Sequence, residues 1–192
     1  HMLIAVDRKS SDQNATDKLA MGVFALNHSI TASGRSVTTD GFQNEWADSD
    51  EALYLGAAEN TEALIRCSAD GDNIYLLVEV IDDAASDSDD VQLTLTGENF
   101  GFDSRRVHLN NKGVTKVEWY NGGWESMPSR ISGKVLKDSA VGYIAEIAIP
   151  RAELGVKGGK LLFNAAFHKS SGAGCSISDS ETTEDWVYIK GL

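Results

Sequence analysis

Three aromatic residues crowd one tight turn. Trp119 and Tyr120 precede Asn121-Gly122-Gly123, and Trp124 follows it. Ring side chains give a ligand wide, rigid contact at small entropic cost, so a turn that gathers them is a candidate platform. Neighbours on a regular strand point to opposite faces, so Trp119 and Tyr120 cannot both serve it. The alternative is that one ring packs in the core while Trp124 covers the turn. Polar partners are at hand in Arg105, Arg106, His108, Glu118, Asn164 and His168. Asn164 lies between Phe163 and Ala165, so a buried amide there must find a partner. A core hydrogen bond or a concave ligand face would each supply one.

A second cluster is acidic. Asp82, Asp83, Asp87, Asp89 and Asp90 fall between two apolar runs. Clustered carboxylates repel unless something positive neutralises them, and calcium takes several oxygens from loops of this kind. The spacing does not match the helix–loop–helix calcium pattern, and a solvated loop is the other reading. No catalytic set emerges. No pair of carboxylates is singled out for glycoside chemistry, no nucleophile elbow is present, and the histidines show no zinc-binding spacing. A non-enzyme is expected.

The elements that must position these groups are strands. Asn73 to Ile81 alternates, with Ile74, Leu76, Val78 and Val80 on one side and Tyr75, Leu77 and Glu79 on the other. Val91, Leu93 and Leu95 repeat the pattern beyond the acidic loop. Period two with β-branched residues marks half-buried strands. The same signal recurs at Glu62–Ser68, Arg105–Leu109, Val114–Tyr120, Ile131–Leu136, Val141–Ile149 and Leu161–Phe167, with Trp186–Ile189 closing the chain. Leu19–Ile30 reads as strand more than helix. The turn Ala69–Asn73 is longer than two residues and predicts a bulge. One helical turn is expected at Arg151–Leu154. With about ten strands and almost no helix, a second sheet must cover the first. The expected fold is all-β, a jelly-roll-like antiparallel β-sandwich.

The 192 residues suit one domain, read as 19–192 after an expression scar (His1-Met2) and a polar lead-in to residue 18. Acidic residues outnumber basic ones 29 to 17, giving a net charge of −12, and no basic stripe is visible. Nucleic acid is an unsuitable partner for that charge. No run is apolar enough to span a bilayer as a helix. Cys67, inside a strand pattern, reads as a small buried hydrophobe, and Cys175 lies in a Gly/Ser loop.

The order of motifs adds a resemblance. The chain carries T-T-D-G-F-Q-N-E-W at 38–46, D-G-D-N-I-Y-L-L-V-E-V-I-D-D at 70–83, and D-D-V-Q-L-T-L at 89–95. G-Y-I-A-E-I-A-I-P-R-A-E-L-G follows at 142–155, then G-K-L-L-F-N-A-A-F at 159–167 and W-V-Y-I at 186–189. Over about residues 36–190 this resembles the family 9 carbohydrate-binding modules and the wider DOMON-like group. One departure is Asp90-Val91-Gln92, where the family pattern has a glutamate in place of Gln92. The resemblance implies a β-sandwich attached to catalytic or anchoring domains of an extracellular or surface protein. It also implies sugar binding between aromatic rings, and structural calcium. On that reading Trp124, Trp119, Tyr120, Arg105, His108, Asn164 and His168 are the expected sugar contacts. Asp82, Asp83, Asp87, Asp89 and Asp90 are the expected calcium ligands, and Trp46 and Trp186 belong to the packing. The wider group also includes haem proteins, but no axial His or Met pair stands out here. The rival readings are a structural or interaction sandwich without a sugar site and, less favoured, a glycan-active enzyme domain.

Overall fold

The acidic run Asp82–Asp90 carries the chain from one sheet to the other. In the computed structural model the described residues are 2–6, 20–24, 29–58, 61–97, 99–138, 142–156, 159–178 and 182–192; residues 2–6, 20–24, 57–58 and 138 are described as strand backbone. Fifteen strands lie among them. They are β1 (Met2–Val6), β2 (Ala20–Phe24), β3 (Ser29–Thr31), β4 (Glu51–Ala58), β5 (Thr61–Ala69), β6 (Asn73–Ile81), β7 (Asp90–Thr96) and β8 (Arg105–Asn110). There follow β9 (Gly113–Tyr120), β10 (Trp124–Ser126), β11 (Ser132–Asp138), β12 (Gly142–Pro150), β13 (Lys160–His168), β14 (Gly174–Ser176) and β15 (Val187–Lys190). The first sheet has the order β1-β2-β4-β5-β6-β12-β11. The second has the order β10-β9-β8-β7-β13-β15-β3, with β14 also paired to β13. All pairs are antiparallel except β2–β4 and β15–β3. Among the described residues, helix is confined to single 3-10 turns at Arg151–Glu153 and Thr183–Asp185. The architecture is the expected antiparallel β-sandwich.

The strand count exceeds the expected ten because β3, β10 and β14 span three residues each. Such pieces are too short to show a period; they form by pairing to a longer neighbour. The stretch Leu19–Ile30 contributes β2 and β3, on different sheets. Met2–Val6, inside the segment read as a lead-in, pairs with β2. The bulge expected between β5 and β6 is absent, because the register runs unshifted from Glu62–Ile81 to Ala69–Ile74. Asp70 closes that turn instead. Its carboxylate accepts from the Asp72 and Asn73 N–H groups and the Tyr75 hydroxyl, which holds its pKa well below the usual carboxylate range. Shifts occur between Leu55 and Ala58 and between His108 and Leu109.

The core lies between the sheets. Ile74, Leu76, Val78 and Val80 of β6 and Ala145, Ile147 and Ile149 of β12 face Val91, Leu93, Leu95, Val107, Leu109, Phe163 and Phe167. Each fully buried side chain of this size contributes roughly 1.5–3 kcal/mol. Cys67 is in this core and both cysteines are free thiols; burial pushes the Cys67 pKa far up.

The far face of the first sheet is also covered. Residues 35–50 lie across it without joining a sheet, after Ala32 leaves the core. Ser33 N–H donates to the Cys67 carbonyl, and Ser68 Oγ donates to the Arg35 carbonyl while accepting from the Arg35 N–H. The strap closes on Glu146 of β12, which is 1% exposed. That carboxylate accepts from the Asp40 N–H at 3.0 Å, the Gly41 N–H at 2.7 Å and Trp46 Nε1–H at 2.8 Å. The D-G-x-x-x-E-W motif is therefore a clasp for this strap, and Trp46 is structural.

Candidate functional site

With the first sheet strapped, the ring-bearing turn sits on the other sheet. Tyr120 ends β9 and Trp124 begins β10, and the two are directly paired across the turn. Cross-strand partners share a face, and these two face away from the core. Their ring centroids are 5.4 Å apart, close to edge-on. Phe100, from the loop after β7, joins them at 5.1 Å from Tyr120 and 5.5 Å from Trp124. Phe100 also meets Trp186 edge-on at 5.3 Å. Trp186 is sealed, whereas Phe100, Tyr120 and Trp124 stay partly open. The Arg106 guanidinium lies over the Trp124 ring, 4.2 Å from its centroid. The other indole is elsewhere. Trp119 points to the opposite side of β9 and pairs with Phe102, 5.0 Å away. The alternation of Trp119 and Tyr120 follows the period-two argument.

Polar side chains continue from this aromatic end along the same outer face. Glu118, Arg106, Thr94 and Asn164 stand in register on β9, β8, β7 and β13. Lys116, His108 and Gln92 form the next row. His108 is the hub, with Nδ1 2.8 Å from Asp90 Oδ2 and Nε2 2.9 Å from Glu118 Oε2. Burial alone would lower its pKa, but the two carboxylates outweigh burial and raise it. Burial raises both carboxyl pKa values, yet bonds to His108, with Gln92 for Asp90 and Lys116 for Glu118, bring them down overall.

The sign of the linkage follows. The His108 contribution is complete below its unfolded pKa of about 6.5 and is lost as pH rises through its raised folded value. The contributions of Asp90 and Glu118 are present above the unfolded carboxylate pKa of about 4 and are lost as pH falls through their lowered folded values. Charges are all in place between those limits. Urea unfolding is expected to show the wild type losing on the order of 1 kcal/mol or less, relative to His108→Gln, when pH rises from about 6 to about 9. Parallel pH profiles for the two proteins would remove His108 from this role.

The other expected contacts are placed differently. Arg105 is buried; its Nη1 donates to the carbonyls of Phe102 at 2.6 Å and Ser104 at 2.9 Å. Asn164 spends its amide on Ser178, donating to the carbonyl at 2.9 Å and accepting from the N–H at 3.1 Å. His168 is exposed and opposite Asp90, about 20 Å along β13 from the aromatic end. The structure thus gathers Tyr120, Trp124 and Arg106, runs through His108, and leaves Arg105, Asn164 and His168 to other tasks. Phe100 and Arg106 become central. Phe100 lies in a loop, where no periodic pattern marks it.

The five loop aspartates do not form one ligand set. Asp82 is buried, and both of its oxygens lie 3.0 Å from Lys169 Nζ, which also donates to Thr61 Oγ1 at 3.1 Å. Asp89 accepts from the N–H groups of Ser86 and Ser170. Asp87 pairs with Lys112, Asp90 with His108, and Asp83 is exposed. Among the described residues no three His, Cys, Asp or Glu side chains converge as a metal group. These carboxylates do not fit calcium as a set, because Lys169 already supplies the positive charge at the buried one.

The architecture matches two solved structures of a carbohydrate-binding module family 9 from Caldicellulosiruptor kristjanssonii. Against the complex with cellotriose the TM-score is 0.62 at 18% identity, covering 84% of this chain and 92% of that chain. Against the complex with glucose it is 0.62 at 19% identity, covering 84% and 94%. No protein-family model matches the chain, and no curated protein matches it in sequence. The fold is that of the family 9 carbohydrate-binding modules, as the order of motifs implied. No helix among the described residues is long and apolar enough to cross a membrane.

Proposed function

We propose that this chain is a non-catalytic carbohydrate-binding module whose sugar lies on the outer face of the second sheet. The observation that carries the reading is the part-open cluster of Phe100, Tyr120 and Trp124, with Arg106 seated on Trp124 at the head of a polar row. A saccharide offers C–H faces to rings and hydroxyls to charged or amide groups, and this surface presents both. The fold supports the same reading, since the similar structures hold cellotriose and glucose. We read residues 19–192 as one module of a longer extracellular or surface protein, joined to catalytic or anchoring domains.

An enzymatic reading would need two free carboxyl groups facing each other across the substrate, one of them held protonated. Asp90 and Glu118 do flank a common space, but the His108 ring fills it, and both carboxyl pKa values are lowered. Neither is set up as a general acid.

The test is calorimetric titration with cellotriose and glucose. Trp124→Ala is expected to weaken binding about tenfold or more, equivalent to about 1.4 kcal/mol, with an unchanged far-ultraviolet spectrum. Unaltered affinity in a folded variant would remove the platform. Silence across a wider glycan panel would leave a structural or interaction domain.

A further inference from the structure

We propose that the chain has a second saccharide site, built on Phe102 and Trp119 on the opposite side of β9 from Trp124. The proposal takes its ligand class from the function proposed above. Phe102 is 64% exposed, and its ring contacts that of Trp119 in a tilted arrangement, with centroids 5.0 Å apart and an interplanar angle of 42°. An exposed phenyl on a loose loop would be unremarkable, but this loop is not loose. Thr96 Oγ1 bonds to the Asn99 carbonyl and to Ser104 Oγ, and the Gly101 N–H donates to Ser104 Oγ. Arg105, itself 7% exposed, reaches from beneath to hold the Phe102 carbonyl at 2.6 Å. The Ser104 N–H closes the turn on the Gly101 carbonyl. A buried, charged side chain thus fixes the backbone at Phe102, whose ring faces water.

Preorganised aromatic surface of this kind binds without paying to order itself. The rim is polar as a sugar requires. Glu125 is paired directly across from Trp119, on the same face, and is exposed. Glu153 sits between Arg105, at 3.6 Å, and the exposed Arg130, at 3.8 Å. The loop therefore serves both sides of β9. Phe100 turns toward Tyr120 and Trp124, and Phe102 turns toward Trp119. Two ring platforms, back to back at one end of the sheet, would let one module hold two saccharide segments.

Indole N–H resonances of Trp119 and Trp124, followed by NMR during titration with cellotriose, separate the two sites. Both are expected to move, with different midpoints. Phe102→Ala, a change at an exposed ring, is expected to weaken the Trp119 response about tenfold while leaving that of Trp124 in place. Trp124→Ala, which removes the other reporter, should leave the Trp119 response in place. A Trp119 signal that stays still at saturation of the Trp124 site, or a Trp119 response indifferent to Phe102→Ala, overturns the second site alone. A moving Trp119 beside a silent Trp124 overturns the first platform and upholds this one. Silence at both overturns both.

Discussion

Glu146→Ala is expected to destabilise the protein by about 3–5 kcal/mol, a large part of the stability of an ordinary domain. The reason is the number of donors that end on one sealed carboxylate. The Asp40 and Gly41 N–H groups and the Trp46 indole all lose their acceptor together. Each donor left unpaired away from water costs about 1–3 kcal/mol, and the three do not add fully because the strap can lift and let water in. Lifting has its own cost, since Val37 and the outward-facing Tyr75 and Leu77 lie beneath or within the covered layer. Glu146→Gln keeps the shape and one acceptor oxygen, so about 1–3 kcal/mol is expected there. Urea denaturation followed by tryptophan fluorescence measures both variants. Loss of less than about 0.5 kcal/mol in the alanine variant would show that the strap is held by its other bonds.

Lys169→Met should be nearly as damaging, at about 3–5 kcal/mol, because it strands the Asp82 carboxylate in the interior with no counter-charge. Both side chains are almost fully buried, and the ammonium also serves Thr61. Removing one member of such a pair exposes the whole desolvation cost of the other. The double change Asp82→Asn with Lys169→Met removes both charges and is expected to recover most of the loss. Equal stability of the single and double variants would mean that the Asp82 charge is not what the lysine answers. The same geometry makes an added divalent cation redundant at this position. Thermal unfolding of the wild type is expected to coincide in calcium and in EDTA.

The parts legible in the sequence are those with local causes. β6 and β12 announce themselves because each side chain's fate is set by a two-residue period. The opposition of Trp119 to Tyr120 follows from the same rule. The acidic run reads correctly as a crossing between strands. What neutralises it was not legible, because Lys169 lies 87 positions from Asp82 and nothing local marks it. Trp46 and Glu146 are separated by 100 positions, so the motif shows a fixed tryptophan but not its anchor. Phe100 was missed for a related reason. A ring in a loop has no period, and its role appears only when the fold brings Tyr120, Trp124 and Trp186 around it. Arg105 and His168 looked suitable by type, but burial took one and distance along β13 took the other.

Contacts between distant parts of the chain also set the order in which the molecule can assemble. Trp46 to Glu146, Lys169 to Thr61 and Cys175 to Gly56 span 100, 108 and 119 positions. Each contact requires a long loop to close before it returns any energy, so the chain belongs among the slow folders, in the range of about milliseconds to seconds. The β5–β6 hairpin, shut locally by Asp70, can form early, whereas the strap and the Lys169 contact must wait for β12 and β13. During synthesis the strands that precede β12 would therefore emerge with one face of the first sheet bare, until β12 brings Glu146 to the strap.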